Sequence, residues 1–156
     1  MVVNGKVEFV GSNRSKAVEA ISNELHLARA TVSIRPISPA SSTGQTLASF
    51  SVQVERLPPL DTKTKGLVFL AVTENNLQSS VSSGENSGRR LAHTAVVREL
   101  KMIGKVDTRP DAVFTARPTV QISNGWKRKD LRAVIFVQLQ GSRRILGAAE
   151  TPFPSL

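Results

Sequence analysis

Apolar and polar residues alternate along several stretches of the chain, as they do in β-strands that have one buried face. The clearest alternation runs from Thr46 to Glu55, and a second strong strand is predicted from Leu131 to Leu139. The apolar face of the first consists of Ala48, Phe50, Val52 and Val54. Gly66 to Thr73 is apolar without interruption and is predicted to be a central strand.

Shorter segments extend this β-rich pattern. Further strands are predicted at Thr31–Ile37, Val113–Thr115, Thr119–Ile122 and Ile145–Glu150, with Pro118 interrupting the middle pair and Pro36 and Pro39 weakening the end of the first. Loops are predicted at Pro39–Gln45 and Leu57–Lys65. Residues 75–88 fit either one long loop or a weak strand at Leu77–Val81 followed by a loop. Leu91–Ile103 fits a helix or a strand, and its β-branched centre favours the strand.

The first 29 residues follow a different pattern. Asn4-Gly5 between β-favouring residues predicts a hairpin over Val2–Val10, because a type I′ turn needs positive φ at both central positions. Gly11-Ser12 ends the strand and offers an N-cap hydroxyl to a helix near residues 13–29. The apolar stripe of this helix comprises Val18, Ile21, Leu25 and Ala28.

These patterns predict an α+β, mainly β fold in two parts. Residues 1–29 form a ββα unit and residues 30–156 form an antiparallel β-sandwich-like domain, with the change of pattern near Ala30. A two-stranded hairpin with one helix cannot bury both faces, and it leaves a bare strand edge. We therefore expect residues 1–29 to dock on the rest of the chain, on a second copy, or on a domain missing from a truncated chain.

Charge and composition narrow the function further. The net charge of +9 lies entirely between Arg89 and Arg144, which hold thirteen Lys or Arg against four Asp or Glu. This excess suits an acidic protein surface, although a solvated basic face is the simpler interpretation. The chain has no cysteine, which excludes disulfides, thiolate zinc sites and dithiol redox motifs. No cofactor, no metal site and no membrane span are predicted, and no signal peptide opens the sequence.

Three groups of residues, in this order, carry a family resemblance. They are Val2–Ser12, then Gly84–Leu100, then Ala133–Gln138 with Ile145–Ala149. Together they resemble the domain of unknown function 1223 family, which comprises mostly bacterial, secreted proteins with a thioredoxin domain followed by a β-rich domain. The resemblance implies that residues 1–29 are the last ββα unit of a thioredoxin fold. It also implies a periplasmic or secreted location.

The same resemblance limits what can be said of activity. The family's cysteine motif would lie in thioredoxin segments that this chain lacks, so a redox function is not carried over. The family has no established activity, and only its architecture is implied. The positions that match its signature are Gly84, Glu85, Asn86, Gly88, Arg89, His93 and Arg98.

Each candidate site has a structural interpretation beside the functional one. Glu85 and Asn86 are expected to fold back the Gly84–Gly88 loop, with Glu85 pairing Arg89, Arg90 or Arg98. His93 and Arg98 fall on opposite faces of a strand, so they are not expected to form one anion site. Nucleotide-binding glycine spacings are absent from the sequence around this loop.

The segment Trp126-Lys127-Arg128-Lys129 combines one aromatic ring with three cations. It predicts either a contact to nucleic acid or another anion, together with Arg90, or a basic hairpin tip, which is the favoured interpretation. The sequence predicts no catalytic residues, and it favours a structural or protein-interaction domain. The alternatives are an accessory domain of a thiol-disulfide oxidoreductase whose cysteines lie elsewhere, and a basic nucleic-acid or anion-binding module.

Overall fold

Strands dominate the structure, a computed structural model that describes residues 1–37, 47–60 and 64–154. In chain order the elements are β1 (Val2–Val3), β2 (Val7–Glu8), α1 (Arg14–Leu25), β3 (Thr31–Ile37), β4 (Leu47–Glu55), β5 (Lys65–Glu74), β6 (Leu77–Ser80), β7 (Arg90–His93), β8 (Val96–Asp107), β9 (Phe114–Ala116), β10 (Thr119–Gln121), β11 (Leu131–Leu139) and β12 (Ile145–Pro152). A short 3-10 turn at Arg128–Asp130 precedes β11. The predicted fold class, α+β and mainly β with antiparallel sheets, is confirmed.

Two antiparallel sheets pack on each other through their apolar faces. Sheet I has the order β10-β4-β3, with β9 also pairing β4, and sheet II has the order β12-β11-β5-β8. The inner faces share one core. In it the rings of Phe50 on β4 and Phe153 pack edge to face, with their centroids 5.2 Å apart. Val52, Val54, Leu70 and Ile135 are buried in the same core. Alternating strands thus supply one apolar face each to the sandwich.

Most strand predictions are confirmed, two of them to the residue. β3 and β11 have the predicted bounds, and β4 buries the predicted alternate side chains. The predicted strand broken at Pro118 is seen as β9 and β10, which pair successive parts of β4. The weak strand near Leu77 is present as β6. The predicted loop at Pro39–Gln45 and part of that at Leu57–Lys65 lie outside the described residues.

Two element predictions need correction. Leu91–Ile103 is not one strand but two, because the chain bends at Thr94-Ala95 between β7 and β8, where Ala95 has a φ of 52°. The helix ends at Leu25 rather than near residue 29, and its N-cap is Asn13, whose side chain accepts a bond from the Lys16 amide, rather than Ser12. The hairpin turn has the predicted form, with φ of 51° at Asn4 and 73° at Gly5.

The N-terminal unit is attached to the sandwich at the start of β12. The Ile145 amide donates to the Asn4 carbonyl at 3.0 Å, and the Ala30 amide donates to the Leu146 carbonyl at 2.8 Å. Arg144 and Glu24 form an ion pair at 3.6 Å in which both side chains are largely buried. Residues 1–29 therefore dock on the rest of the chain through the hairpin turn and the end of the helix.

Candidate functional site

The signature segment Gly84–Leu100 forms half of a long bent hairpin. β5 continues into β6, and β7 returns into β8, so that β6 and β7 make a two-stranded arm beyond the end of sheet II. The bend coincides with Asn76 and Ala95, which both have positive φ, at 57° and 52°. A non-glycine residue in this conformation is uncommon and needs local support. The side chains at the base of the arm provide it.

Glu74 is the centre of that base. Its side chain is fully buried at the end of β5, and one carboxylate oxygen accepts a bond from Arg98 Nε at 2.8 Å. The other oxygen accepts a bond from the Lys127 amide at 3.1 Å. A buried carboxylate is costly unless it is paired and hydrogen-bonded, and here both oxygens are engaged. Glu74 therefore joins β8 and the segment before β11 to the end of β5.

Two asparagines complete this junction. The Ala95 amide donates to Asn75 Oδ1 at 2.8 Å, which ties the two sides of the bend together. Asn76 Nδ2 donates to Asp130 Oδ1 at 2.8 Å, and the Asn75 amide donates to the Asp130 carbonyl at 3.0 Å. We call Glu74, Asn75, Asn76, Arg98 and Asp130 the Glu74 junction. Its hydrogen bonds fix where the arm leaves the sandwich.

In the Gly84–Gly88 loop at the tip of the arm, the Ser87 and Gly88 amides are engaged in backbone hydrogen bonds. The Ser87 amide donates to the Gly84 carbonyl at 3.0 Å, and the Gly88 amide donates to the Val81 carbonyl at 2.8 Å. The Arg89 amide donates to the Asn86 carbonyl at 3.1 Å. An anion site at a loop needs backbone N–H groups that point outward and are unused. The arrangement is that of a folded connector.

Glu85 has none of its predicted ion-pair partners among the described residues. Glu85 is exposed, and in residues 1–37, 47–60 and 64–154 no cation lies within ion-pair distance of its carboxylate. Arg98 pairs with Glu74 instead, and the prediction that Glu85 pairs with Arg89, Arg90 or Arg98 is therefore wrong. Arg89 and Arg90 are exposed beside the same tip.

His93 and Arg98 lie on different strands, β7 and β8, and not on opposite faces of one strand as the spacing predicted. His93 Nε2 and Ser79 Oγ are 2.8 Å apart across the arm, in a hydrogen bond between β7 and β6. Arg98 is on the far side of the bend, with 30% of its side chain exposed. The two residues therefore serve separate contacts.

The segment at residues 126–129 is also tied into the structure. Trp126 is half-buried against the core, the Lys127 amide is bound to Glu74, and Arg128 Nε donates to the Pro154 carbonyl at 2.8 Å. Lys129 is exposed. The expected hairpin tip is wrong, because this segment crosses from β10 in sheet I to β11 in sheet II. The aromatic ring that could stack on a base is packed against the core instead.

The outer face of sheet II carries an ion pair between Lys65 and Asp107, with Arg109 close by. The Lys65 ammonium, through its hydrogen bond and its charge, lowers the pKa of Asp107 below its usual value, and Arg109 adds to this. Residues 1–37, 47–60 and 64–154 contain no group of three or more His, Asp or Glu side chains placed to hold a metal ion. In the same ranges, no helix is long and apolar enough to cross a bilayer.

Two apolar surfaces remain open. The first is on the N-terminal unit, where the helix buries Ala20 and Glu24 while its apolar stripe faces solvent. Ile21 is 48% exposed and Leu25 62%, and Val10 of the hairpin is 75% exposed. A cleft of about 320 Å³ between the helix and β12 continues this surface. We call it the N-terminal apolar surface.

The second surface is the outer face of sheet II. Phe69 of β5 stacks on Phe136 of β11 at 5.2 Å, and both lie outside the core of the sandwich. Leu100 and Met102 of β8 lie opposite Ala71 and Phe69 in the register and are 57% and 50% exposed. We call this surface the outer face of sheet II.

Sequence patterns missed Glu74 and the outer face of sheet II. Glu74 could have been noticed as the single charge that ends an apolar run beginning at Gly66. The run itself signalled the second feature, because a strand that is apolar at successive positions is apolar on both faces. The sequence pattern was interpreted only as a central strand.

Comparison with solved structures supports the fold. HBP35 of Porphyromonas gingivalis superimposes with a TM-score of 0.62 over 89% of this chain, at 15% sequence identity. The match covers 45% of that protein, so this chain spans less than half of its length. A structural genomics target, SoR45, matches 82% of this chain and 88% of its own at 12% identity, with a TM-score of only 0.35.

Sequence comparison with curated proteins gives no match. Residues 1–138 match the family described as Protein of unknown function (DUF1223). The matched part contains the hairpin, the helix, the arm with its signature segment, and almost all of β11. The chain belongs to the DUF1223 family.

Proposed function

We propose that this chain is a non-catalytic protein-interaction domain of a thioredoxin-like protein, and that it binds its partner through the N-terminal apolar surface. The observation that carries the proposal is the exposure of the apolar stripe of α1. A helix in a folded domain normally turns such a stripe toward a core. Here Val18, Ile21 and Leu25 face solvent instead.

The edges of the adjoining hairpin support the same proposal. β1 and β2 have two residues each and pair only with one another among the described strands. A two-stranded sheet is marginal in water, and its free edges can accept a further strand. A partner that adds a strand to the hairpin would pair its free edge, and the same partner could cover the exposed apolar stripe of the helix.

The non-catalytic part of the proposal is supported by how the candidate residues are used. Arg98 and the Lys127 amide are bound to Glu74, and His93 is bound to Ser79. Arg128 holds the Pro154 carbonyl. These are bonds between elements of the fold, and they support structural roles for His93, Arg98 and Arg128.

A second candidate has one observation in its favour. An accessory domain of a thiol-disulfide oxidoreductase would carry the rest of a thioredoxin domain before residue 1. The bare side of the ββα unit is where such a segment would pack. This version predicts that the reading frame upstream of the Met1 codon encodes a dithiol motif; a frame that opens at Met1 would contradict it.

Amide hydrogen exchange tests the proposed surface itself. The polypeptide encoded by the complete reading frame would be compared with residues 1–156 alone. If additional residues dock on the unit, amides of β1, β2 and α1 should exchange at least tenfold more slowly in the longer polypeptide, while amides of β11 stay unchanged. Equal exchange at β1, β2 and α1 in the two proteins would count against docking there. Ile21→Glu in the longer polypeptide should restore fast exchange, because it places a charge in the apolar contact.

A further inference from the structure

The outer faces of the two sheets differ in chemistry. The outer residues of β4 are polar, namely Ser49, Ser51, Gln53 and Glu55. On β5 the outer residues are Leu67, Phe69, Ala71 and Thr73, since the residues between them belong to the core. A sheet with one solvated face alternates apolar with polar residues, whereas a strand covered on both faces is apolar throughout. Sheet I thus has the pattern of a solvated face, and sheet II has that of a covered one.

The described part of the chain leaves the β8 side of this face open, whereas Ala71 and Thr73 at its centre are buried. Val97 and Leu100 are each 57% exposed, and Met102 is 50% exposed. Their cross-strand neighbours continue the apolar surface over β5 and β11, where Val134 pairs with Ala71 and Phe136 with Phe69. The largest contiguous apolar patch on a protein surface is often functional, and this one spans three strands, which favours an interaction site.

The geometry favours contact through the face rather than through the edge of the sheet. β8 is an edge strand, but it carries two register shifts opposite β5. Lys101 lies opposite the buried Leu70 and reaches across to the Thr119 carbonyl of sheet I, while pairing with Glu99 at 3.1 Å. Bulges and inward-pointing charges on an edge strand prevent another strand from pairing with it.

From this we infer that the outer face of sheet II packs against the same face of a second copy of the chain, forming a dimer. The charge of the face is compatible with a second copy, because most cations on the outer face of sheet II form ion pairs with carboxylates on the same face. Lys65 pairs with Asp107 at one end and Arg132 with Glu150 at the other, which leaves Lys105 as the excess charge among β5, β8, β11 and β12 on this face. The other Lys and Arg residues of the basic region, such as Arg90 and Lys129, lie on the arm and on the segment before β11.

The size of the face also fits a second copy. Four strands spaced about 4.8 Å apart and about eight residues long cover roughly 19 Å by 26 Å, or about 500 Å² for each copy. Two such faces bury roughly 1,000 Å² in total, which is close to the lower limit for a specific interface. In a two-fold symmetric dimer both copies use the same surface. The apolar centre of one face would therefore pack on the apolar centre of the other. An interface of this size is typical of a weak, reversible dimer.

Sedimentation equilibrium of residues 1–156 at concentrations from about 1 to 500 μM tests this inference. We expect a monomer–dimer equilibrium that Leu100→Glu weakens at least thirtyfold, because two copies would each bury a carboxylate in the interface. Leu100→Ser is a milder second variant and should weaken it at least fivefold. Circular dichroism of each variant should match the parent, since Leu100 is more than half exposed.

Two matched controls locate the contact. Ser51→Glu, on the outer face of sheet I, and Ile21→Glu, on the N-terminal apolar surface, should leave the dissociation constant unchanged within about twofold. A monomer at every concentration would overturn the inference. A dimer lost in Ile21→Glu but kept in both Leu100 variants would overturn it too, and would assign self-association to the N-terminal apolar surface instead. Because the two surfaces are tested by different variants, failure here leaves the proposed function standing.

Discussion

Glu74 shows how a single charge organises the base of the arm. It follows an apolar run on β5, is completely buried, and receives Arg98 on one oxygen and the Lys127 amide on the other. Removing one member of a buried ion pair leaves the other charge buried without a partner. The resulting loss of folding free energy is larger than the net stabilisation that the intact pair provides. The side chain therefore holds three separate parts of the chain at one point.

Glu74→Gln should lower the free energy of unfolding by about 2–3 kcal/mol, because it removes the charge but keeps the size of the side chain. Urea denaturation of the two proteins measures this difference. The matched control is Glu150→Gln, whose partner Arg132 is solvent-exposed, and it should change the free energy by less than about 0.5 kcal/mol. Equal losses in the two variants would mean that Glu74 contributes no more than a surface carboxylate.

Asp107 provides a test based on pH. Lys65 lowers its pKa in the folded protein, so the pair stabilises the fold at pH values above the ordinary aspartate pKa. That contribution is lost as the pH falls through the lowered pKa of the folded state. Carboxyl NMR titration should show Asp107 titrating below 3.8 in the parent and closer to 3.8 in Lys65→Met. Lys101→Gln, which removes a more distant cation of the same sheet, should leave the Asp107 titration unchanged.

Elements with a regular pattern were predictable from sequence, whereas contacts between distant elements were not. β4 alternates strictly between apolar and polar residues, and its bounds and buried side follow from it. The bend between β7 and β8 was missed because Ala95 carries no turn signal in the sequence. Its positive φ is stabilised by Asn75, twenty residues away along the chain. Ion pairs across such separations, as between Glu74 and Arg98, depend on strand register that no local pattern specifies.

The helix α1 illustrates the same limit. Its position and cap region follow from local signals, but local signals do not say which side faces the sandwich. The structure buries Glu24, which accepts a bond from Asn4 Nδ2 at 2.5 Å and pairs with Arg144, and leaves Leu25 in solvent. The predicted domain boundary near Ala30 remains a prediction. The ion pair between Arg144 and Glu24 joins the two predicted domains, so a variant of Arg144 can test it.

Arg144→Gln should loosen the N-terminal unit without unfolding the sandwich, because it removes the charge partner of Glu24 at the docking site. Hydrogen exchange of α1 amides should accelerate by roughly tenfold or more, and that of β11 amides should not change. Arg143→Gln is the control, since Arg143 is exposed, and it should affect neither element. If β11 exchange rises by the same factor as α1 exchange, residues 1–29 are part of one cooperative unit with the sandwich.

At the scale of the whole molecule, the basic excess is spread over separate structures. Arg89 and Arg90 lie at the tip of the arm, Lys129 lies before β11, and Arg143 lies in the turn before β12. Trp126, the only aromatic residue in the basic segment, is half-buried against the core. A nucleic-acid interface needs cations along one groove with exposed rings between them. The dispersed cations of this protein favour weak, nonspecific attraction of nucleic acid over a defined binding groove.

We therefore expect binding to a 20-nucleotide single-stranded DNA to be weak and to involve about two phosphate contacts. With so few released counterions, the association constant should fall by only about sixfold to tenfold between 50 and 200 mM NaCl. Fluorescence anisotropy of labelled DNA measures the slope, and Trp126 emission should stay constant because the ring does not stack on bases. A loss of a thousandfold over the same range, together with quenching of Trp126, would instead require a continuous binding groove. The double variant Arg89→Gln with Arg90→Gln should weaken this binding by about the effect of two lost phosphate contacts, whereas Lys16→Gln on the helix should change it less, because residues 1–88 carry a net charge of only +1.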